Sequence, residues 1–178
     1  MAESAELLAD KLRRLATEDN FLNAYARRRM GARYDRELIA FEVGGERYAL
    51  AITELREIVK MRPITEVPRV PPFVKGVVSV RGRVLAAIDL RVRLGMPAAE
   101  PDADTRVLVC EVDGEAYGLI VDRVHSVVRL RDDQIEGPPP MGAGVDARFL
   151  AGIGRRDGEL IILLDLPAVV TFSLGEDR

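Results

Sequence analysis

The chain has 178 residues, of which 48% are hydrophobic and 31% are charged, the balance of a soluble globular protein with one domain or two small packed ones. No apolar run reaches the roughly 18 residues of a membrane-spanning helix, and the polar, acidic start predicts no secretory signal. Residues 37–178 carry 18 basic and 23 acidic side chains, which argues against nucleic acid as the main partner, and the single cysteine, Cys110, agrees with a reducing cytoplasm.

The first element along the chain is a predicted amphipathic helix at residues 5–30. Leu8, Leu12 and Leu15 share one side of it, and the basic run 27–29 lies where a helix dipole favours cations. We therefore expect residues 1–36 to form a helical extension. The pattern fits a helix packed on its own domain, a docking helix for a partner, or a seam for self-association.

From Glu37 onward the pattern becomes strand-like and repeats. The stretch "FEVGGERYAL" predicts a β-hairpin that turns at Gly44-Gly45. "CEVDGEAYGL" predicts a second hairpin, which turns at Asp113-Gly114. The second hairpin repeats the first at an offset of 69 residues, which indicates an internal duplication.

A second block repeats at an offset of 76 residues: "KGVVSVRGRVLAAIDL" matches "AGIGRRDGELIILLDL". The shared positions are Gly76, Gly82, Asp89 and Leu90, which recur as Gly152, Gly158, Asp165 and Leu166. We expect a domain at 37–175 with repeats at about 37–97 and 104–174, each an all-β unit of about five short strands. Closed barrels around a shared core would remove the exposed edges of such small sheets.

Asp89 and Asp165 each follow a long apolar strand, and two interpretations of the pair are open. As N-caps they would begin two short helices, "LRVRLG" and "LPAVVTF", the first ending at Gly95. As a carboxylate dyad, with one Asp from each half, they would serve an acid/base hydrolase. The capping role explains both residues without chemistry, and we treat the hydrolase as the alternative.

The turn between the strands of the first block carries Arg81 and Arg83 around Gly82. The shared glycine predicts a turn that needs a positive φ. Arg81, by contrast, is matched by Asp157 in the second block, a reversal of charge at the same place. Arg81 is then either a solvated hairpin charge or an anchor for another protein, framed by valines such as Val80 and Val84.

These blocks together resemble the CheW family, the coupling proteins of bacterial chemosensory arrays. The resemblance covers roughly residues 37–172, and its most specific piece is "PPFVKGVVSVRGRVLAAIDLRVRLG". The family's usual "NLRG" appears as Ser79-Val80-Arg81-Gly82, with serine for asparagine, and Ala86 stands where the family commonly has proline. The resemblance implies two five-stranded SH3-like barrels packed around a hydrophobic core.

The resemblance also implies a function without catalysis, cofactor or metal. It implies a cytoplasmic scaffold at membrane-associated receptor arrays that binds the CheW-like regulatory domain of the histidine kinase CheA and the cytoplasmic tip of chemoreceptors. Other CheW-like proteins are further candidate partners. The partner-binding positions it implies are Leu55, Glu57, Ile58, Gly76, Ser79, Arg81, Gly82 and Val84.

Overall fold

A computed structural model of the protein describes residues 36–138 and 145–172, so the predicted helix at 5–30 lies outside the described residues. The described chain is mostly β, with two short helices. Its strands are β1 Arg36–Val43, β2 Glu46–Ala51, β3 Leu55–Lys60, β4 Val74–Val80, β5 Arg83–Asp89, β6 Arg106–Val112, β7 Glu115–Val121, β8 Arg123–Leu130, β9 Ile135–Glu136, β10 Leu150–Arg156 and β11 Glu159–Leu164. The helices are α1 Leu90–Arg93 and α2 Leu166–Val170.

Four tight hairpins join consecutive strands, and all four turns have positive φ at both central residues. At the β4–β5 turn these angles are 51° at Arg81 and 77° at Gly82. At the β10–β11 turn they are 50° at Asp157 and 78° at Gly158. Such turns match the right-handed twist of the strands, so the predicted need for glycine at Gly82 is confirmed.

The strands form two sheets, and each sheet draws on both halves of the duplicated sequence. Sheet 1 has the order β8-β1-β2-β11-β10-β9, and sheet 2 has the order β3-β6-β7-β5-β4. The first hairpin of each half therefore lies between strands of the other half. Parallel pairing joins them, with Tyr48 of β2 opposite Ile162 of β11 and Leu119 of β7 opposite Ile88 of β5.

The core has a shared part and two smaller parts. The shared part lies between the sheets and includes Phe41 and Tyr48 of sheet 1 and Leu108 and Leu119 of sheet 2, all fully buried. A second cluster belongs to sheet 1 alone and a third to sheet 2 alone. Because residues of both faces are buried, the strands read as nearly continuous apolar runs.

The two short helices begin as expected, each at an aspartate. The Asp89 carboxylate accepts the backbone N–H of Arg91 at 3.0 Å and that of Val92 at 3.4 Å. The Asp165 carboxylate accepts the N–H of Ala168 at 3.1 Å. The capping interpretation of both aspartates is confirmed, and each cap turns the chain out of its sheet into a helix.

Arg93 of α1 joins the two helices. Its buried guanidinium donates hydrogen bonds to the carbonyls of Val169 (2.8 Å), Ala168 (3.3 Å) and Thr171 (2.7 Å) at the end of α2. It also lies over the rings of the equivalent residues Phe73 and Phe149, with centroids at 4.0 and 4.8 Å.

Within the described part of the chain, no helix is long and apolar enough to cross a membrane.

Candidate protein-interaction site

The β4–β5 turn presents a compact exposed surface, which we call tip 1: Ser79, Arg81, Gly82, Arg83 and Val84. The antiparallel register places Ser79 opposite Val84 and Val80 opposite Arg83, so the exposed side chains flank the turn. Among the described residues, Val84 is the most exposed of the large apolar side chains, at 69%. Tip 1 therefore combines an exposed apolar side chain with two cations, a composition typical of interface anchors.

Arg81 is held by an ion pair with a second predicted site residue. Its Nε lies 2.8 Å from Glu57 Oε2 and 3.1 Å from Glu57 Oε1. The Arg81 side chain is 58% exposed, whereas that of Glu57 is 14% exposed. The pair gives the guanidinium a defined position and leaves its outer edge open to a partner.

The ion pair also spans the full width of sheet 2. Glu57 lies on β3 and Arg81 follows β4, and these are the two outermost strands in the hydrogen-bonding order. Their contact shows that the sheet curls until its edges approach each other. Val59 of β3 and Val78 of β4 lie in the same buried cluster, in agreement with this curl.

Three of the predicted partner-binding residues are not on the surface. Leu55 and Ile58 are 5% and 4% exposed and belong to the shared core. Gly76 is buried with a φ of 143°, and a Cβ there would meet the carbonyl oxygen of Thr65 at 2.1 Å. Packing and backbone geometry explain these three residues, and partner contact through them stays a prediction.

The expected frame of exposed or half-exposed valines around Arg81 (Val77, Val78, Val80 and Val84) is wrong for two of its four members. Val78 and Val80 are 1% and 3% exposed and point into the core of sheet 2. Val77 is half-buried, and only Val84 stands in solvent. Successive side chains of a strand point to opposite faces of the sheet, and the curl of sheet 2 encloses the face that carries Val78 and Val80.

The equivalent turn of sheet 1, which we call tip 2, consists of Arg155, Asp157, Gly158, Glu159 and Leu160, and the exposed Arg156 lies where tip 1 has the buried Val80. Leu160 is 53% exposed and occupies the place of Val84, while Glu159 occupies the place of Arg83 and forms an ion pair with Arg47 of β2. Sequence reasoning missed Glu159 and Leu160 as a surface. The offset of 76 residues could have found them, because it maps the whole of tip 1 onto tip 2.

Neither the lone thiol nor the lone imidazole is arranged for catalysis. Cys110 is fully buried on β6. Its burial raises the pKa of the thiol, and the negative charge of Glu54 raises it further. His125 is on β8, in the other sheet, with its Nε2 3.0 Å from Glu42. Its side chain is 24% exposed.

Comparison with known proteins shows where this arrangement belongs. The protein-family model described as the CheW-like domain matches residues 37–173 of this chain. The chemotaxis protein CheW of Rhizobium meliloti is 37% identical over 134 residues, 75% of this chain and 86% of that protein. The CheW of Bacillus subtilis is 33% identical over 135 residues, 75% of this chain and 86% of that protein.

A solved structure is similar over nearly its whole length. The scaffolding protein TtCheW of Thermoanaerobacter tengcongensis matches with a TM-score of 0.74 and 33% identity, covering 80% of this chain and 97% of that one. The fold and its exposed tips thus define a β-rich scaffold for protein–protein contact. The chain belongs to the CheW-like family, and it is a non-enzymatic adaptor of chemosensory signalling. The hydrolase alternative has no support, since both of its aspartates are helix caps.

Proposed function

We propose that this protein couples chemoreceptors to a CheA-type histidine kinase within a cytoplasmic array at the membrane. The kinase would be bound through its CheW-like regulatory domain and the receptor through its cytoplasmic tip. One observation carries the proposal: two exposed turns with the same backbone conformation carry opposite charges at two equivalent positions. Tip 1 carries Arg81 and Arg83 beside Val84, and tip 2 carries Asp157 and Glu159 beside Leu160.

Tip 1 is suited to anchoring a partner. The Glu57 carboxylate already orders the Arg81 side chain, so less conformational entropy is lost when a partner engages it. Val84 next to it offers apolar surface whose burial favours association. The remaining cation, Arg83, is exposed and can steer an acidic partner toward the tip.

The opposite charges of the tips favour CheW-like domains as partners. A domain built on the same duplicated plan would offer a turn like tip 2 to tip 1 of this chain, and the reverse. Contacts of this kind join unlike surfaces, so they extend into rings or rows. This supports the kinase's CheW-like domain as one neighbour and other CheW-like proteins as further neighbours.

We also propose that sheets 1 and 2 each close as an SH3-like barrel, with residues 1–36 as a separate extension of a domain at 37–175. Two observations support closed barrels. The Arg81–Glu57 ion pair joins the two edges of sheet 2, and each sheet has a buried apolar cluster of its own. Two barrels packed on a shared core would hold the tips rigidly. Rigid tips would transmit a change at one contact to the other.

The test is a charge reversal at tip 1. In Arg81→Asp we expect at least a tenfold loss of affinity for the cognate kinase domain or receptor, which corresponds to about 1.4 kcal/mol. The melting temperature should fall only slightly, because the left-handed turn position suits aspartate and the main cost is a half-buried Glu57 without its cation. Titration calorimetry gives the affinity, and calorimetric melting gives the stability.

The matched control is Asp157→Arg at tip 2, where the backbone has the same conformation. This variant should affect the contact made by tip 1 far less. Unchanged affinity in Arg81→Asp would show that the arginine is an ordinary solvated charge. A large drop in its melting temperature would show that the arginine mainly stabilises the sheet.

A further inference from the structure

A groove lies at the end of sheet 2 remote from tip 1, beneath the segment 98–101 that links the two halves. Its main part is a cavity of about 390 Å³, within the range of ligand pockets, about 300–1,000 Å³. Most of its lining is apolar and comes from Met61, Ile64, Ala98, Ala99, Pro101 and Ile120. The groove can therefore hold a short aliphatic chain out of water.

The polar groups of the groove leave an excess of negative charge. Four charged side chains line it: Glu66, Lys75, Asp89 and Glu100. Asp89 is already satisfied, because it caps α1 and lies 3.6 Å from the Lys75 ammonium. Glu66 and Glu100 form no hydrogen bond or ion pair with any described residue, so two carboxylates remain uncompensated on the groove.

A second cavity of about 230 Å³ continues the groove past Glu100 toward sheet 1. Both of its arginines are paired within the protein. Arg91 donates to both oxygens of Asp122 at 2.8 and 2.6 Å, and Arg123 donates to Asp104 at 2.7 Å. Glu42 and Asp102 also line this part and have hydrogen bonds to His125 and Thr105, so Glu66 and Glu100 are the carboxylates of the groove without a partner among the described residues.

The linking segment is anchored immediately after the groove wall, at residues 102–106. The backbone N–H of Asp102 donates to Thr105 Oγ1 at 2.8 Å, and the guanidinium of Arg106 donates to the Ala103 carbonyl at 2.8 Å. These hydrogen bonds lie within the chain itself and fix the end of the segment that forms the wall. A preformed site loses less free energy to ordering when its ligand arrives.

We propose that this groove binds an arginine or lysine side chain on an extended segment of a partner protein. The methylene stem would lie on Ile64 and Ile120, and the cationic head would lie between Glu66 and Glu100. Long basic side chains are the ones that join an apolar stem to a cation. The contact is separate from tip 1 and does not depend on the coupling function proposed above.

The test uses the full chain with ¹³C-labelled isoleucine methyl groups and two blocked tripeptides, acetyl-Ala-Arg-Ala-amide and its Gln counterpart. The Arg peptide should shift the methyl signals of Ile64 and Ile120 with a Kd of about 1 mM, and the Gln peptide should bind at least fivefold more weakly. Glu66→Gln and Glu100→Gln should each weaken the Arg peptide about threefold, as expected for exposed ion pairs.

Asp133→Asn removes an exposed carboxylate that lies in neither tip nor in the groove lining, and it should leave the titration unchanged. Equal binding of the two peptides, or shifts that spare Ile64 and Ile120, would overturn the proposal. A full chain with Arg27, Arg28 and Arg29 replaced by alanine tests an internal occupant. If these replacements alone shift both signals, the chain's own basic run occupies the groove and an outside partner is excluded.

Discussion

Tip 1 and tip 2 share a backbone and differ in chemistry. Both are two-residue turns with positive φ at each central residue, and both carry a large exposed apolar side chain, Val84 or Leu160. Their charges are opposite at two equivalent positions, Arg81/Asp157 and Arg83/Glu159. Arg81 also forms an ion pair with Glu57, whose counterpart in the other half is Ser126. Both turns therefore keep residues that tolerate a positive φ, because the backbone requires them. The charge at the turn is not required by the fold and differs between the two copies.

The largest effect is expected from Gly76→Ala. A methyl group at Gly76 would collide with the Thr65 carbonyl, and the backbone φ of 143° is strained for alanine. The free energy of unfolding should therefore fall by about 3 kcal/mol or more. Gly152→Ala meets the Glu136 carbonyl at 2.7 Å and should cost less. Gly82→Ala faces open space and should cost about 1 kcal/mol. Urea unfolding of the three variants tests the ranking, and equal costs would refute it.

Arg93→Met removes a contact that only one half of the duplication provides, since the residue of α2 equivalent to Arg93 is Val169. The loss of its hydrogen bonds leaves carbonyls of α2 unpaired in the interior, and we expect a cost of about 2–3 kcal/mol. Arg91→Met, in the same helix, breaks a half-exposed ion pair and should cost about 1 kcal/mol or less. Similar thermal unfolding of the two variants would contradict this account.

Replacing the helix caps compares the halves directly. Asp89→Ala removes a carboxylate that accepts two backbone N–H groups, whereas Asp165→Ala removes one that accepts a single N–H. We expect costs within about 0.5–2 kcal/mol, larger for Asp89. Chemical denaturation of both variants is the measurement, and a larger cost at Asp165 would show that contacts other than capping dominate.

The smallest effect is a dependence on pH at Glu54, whose counterpart in the other half is Arg123. Burial first, and the charge of Asp165 in addition, raise the pKa of Glu54, against an opposing backbone hydrogen bond at Ala51. One of its carboxylate oxygens is buried without a hydrogen-bond partner. A raised pKa in the folded state means that stability is full below the unfolded pKa and is lost as the pH rises through the folded value.

Glu54→Gln removes this titration. At pH 7 we expect the variant to be more stable than the wild type by a few tenths to about 1 kcal/mol, with the difference shrinking or reversing near pH 4. Denaturation midpoints across that range are the measurement. A constant difference at all pH values would show that Glu54 does not titrate as its burial indicates.

Much of this protein could be predicted from local pattern. The hairpin turns, the two helix caps and the duplication depend on neighbouring residues and on two constant offsets, 69 and 76, that are visible in the sequence. The positive φ at Gly82 and the cap at Asp89 followed from residue types alone, because glycine and aspartate have strong local conformational preferences. The exposed half of the candidate site, with Arg81 and Val84, followed from the same turn.

Tertiary structure alone decided how the halves combine. Two similar hairpins offer nearly the same pairing partners, so periodicity does not reveal that each half inserts its first hairpin into the other's sheet. The packing of the two sheets buried Leu55 and Ile58. The curl of sheet 2 buried Val80 and brought Glu57 of β3 to Arg81 beyond β4. Burial and ion pairing depend on residues far apart in sequence, and only the packed sheets bring those residues together.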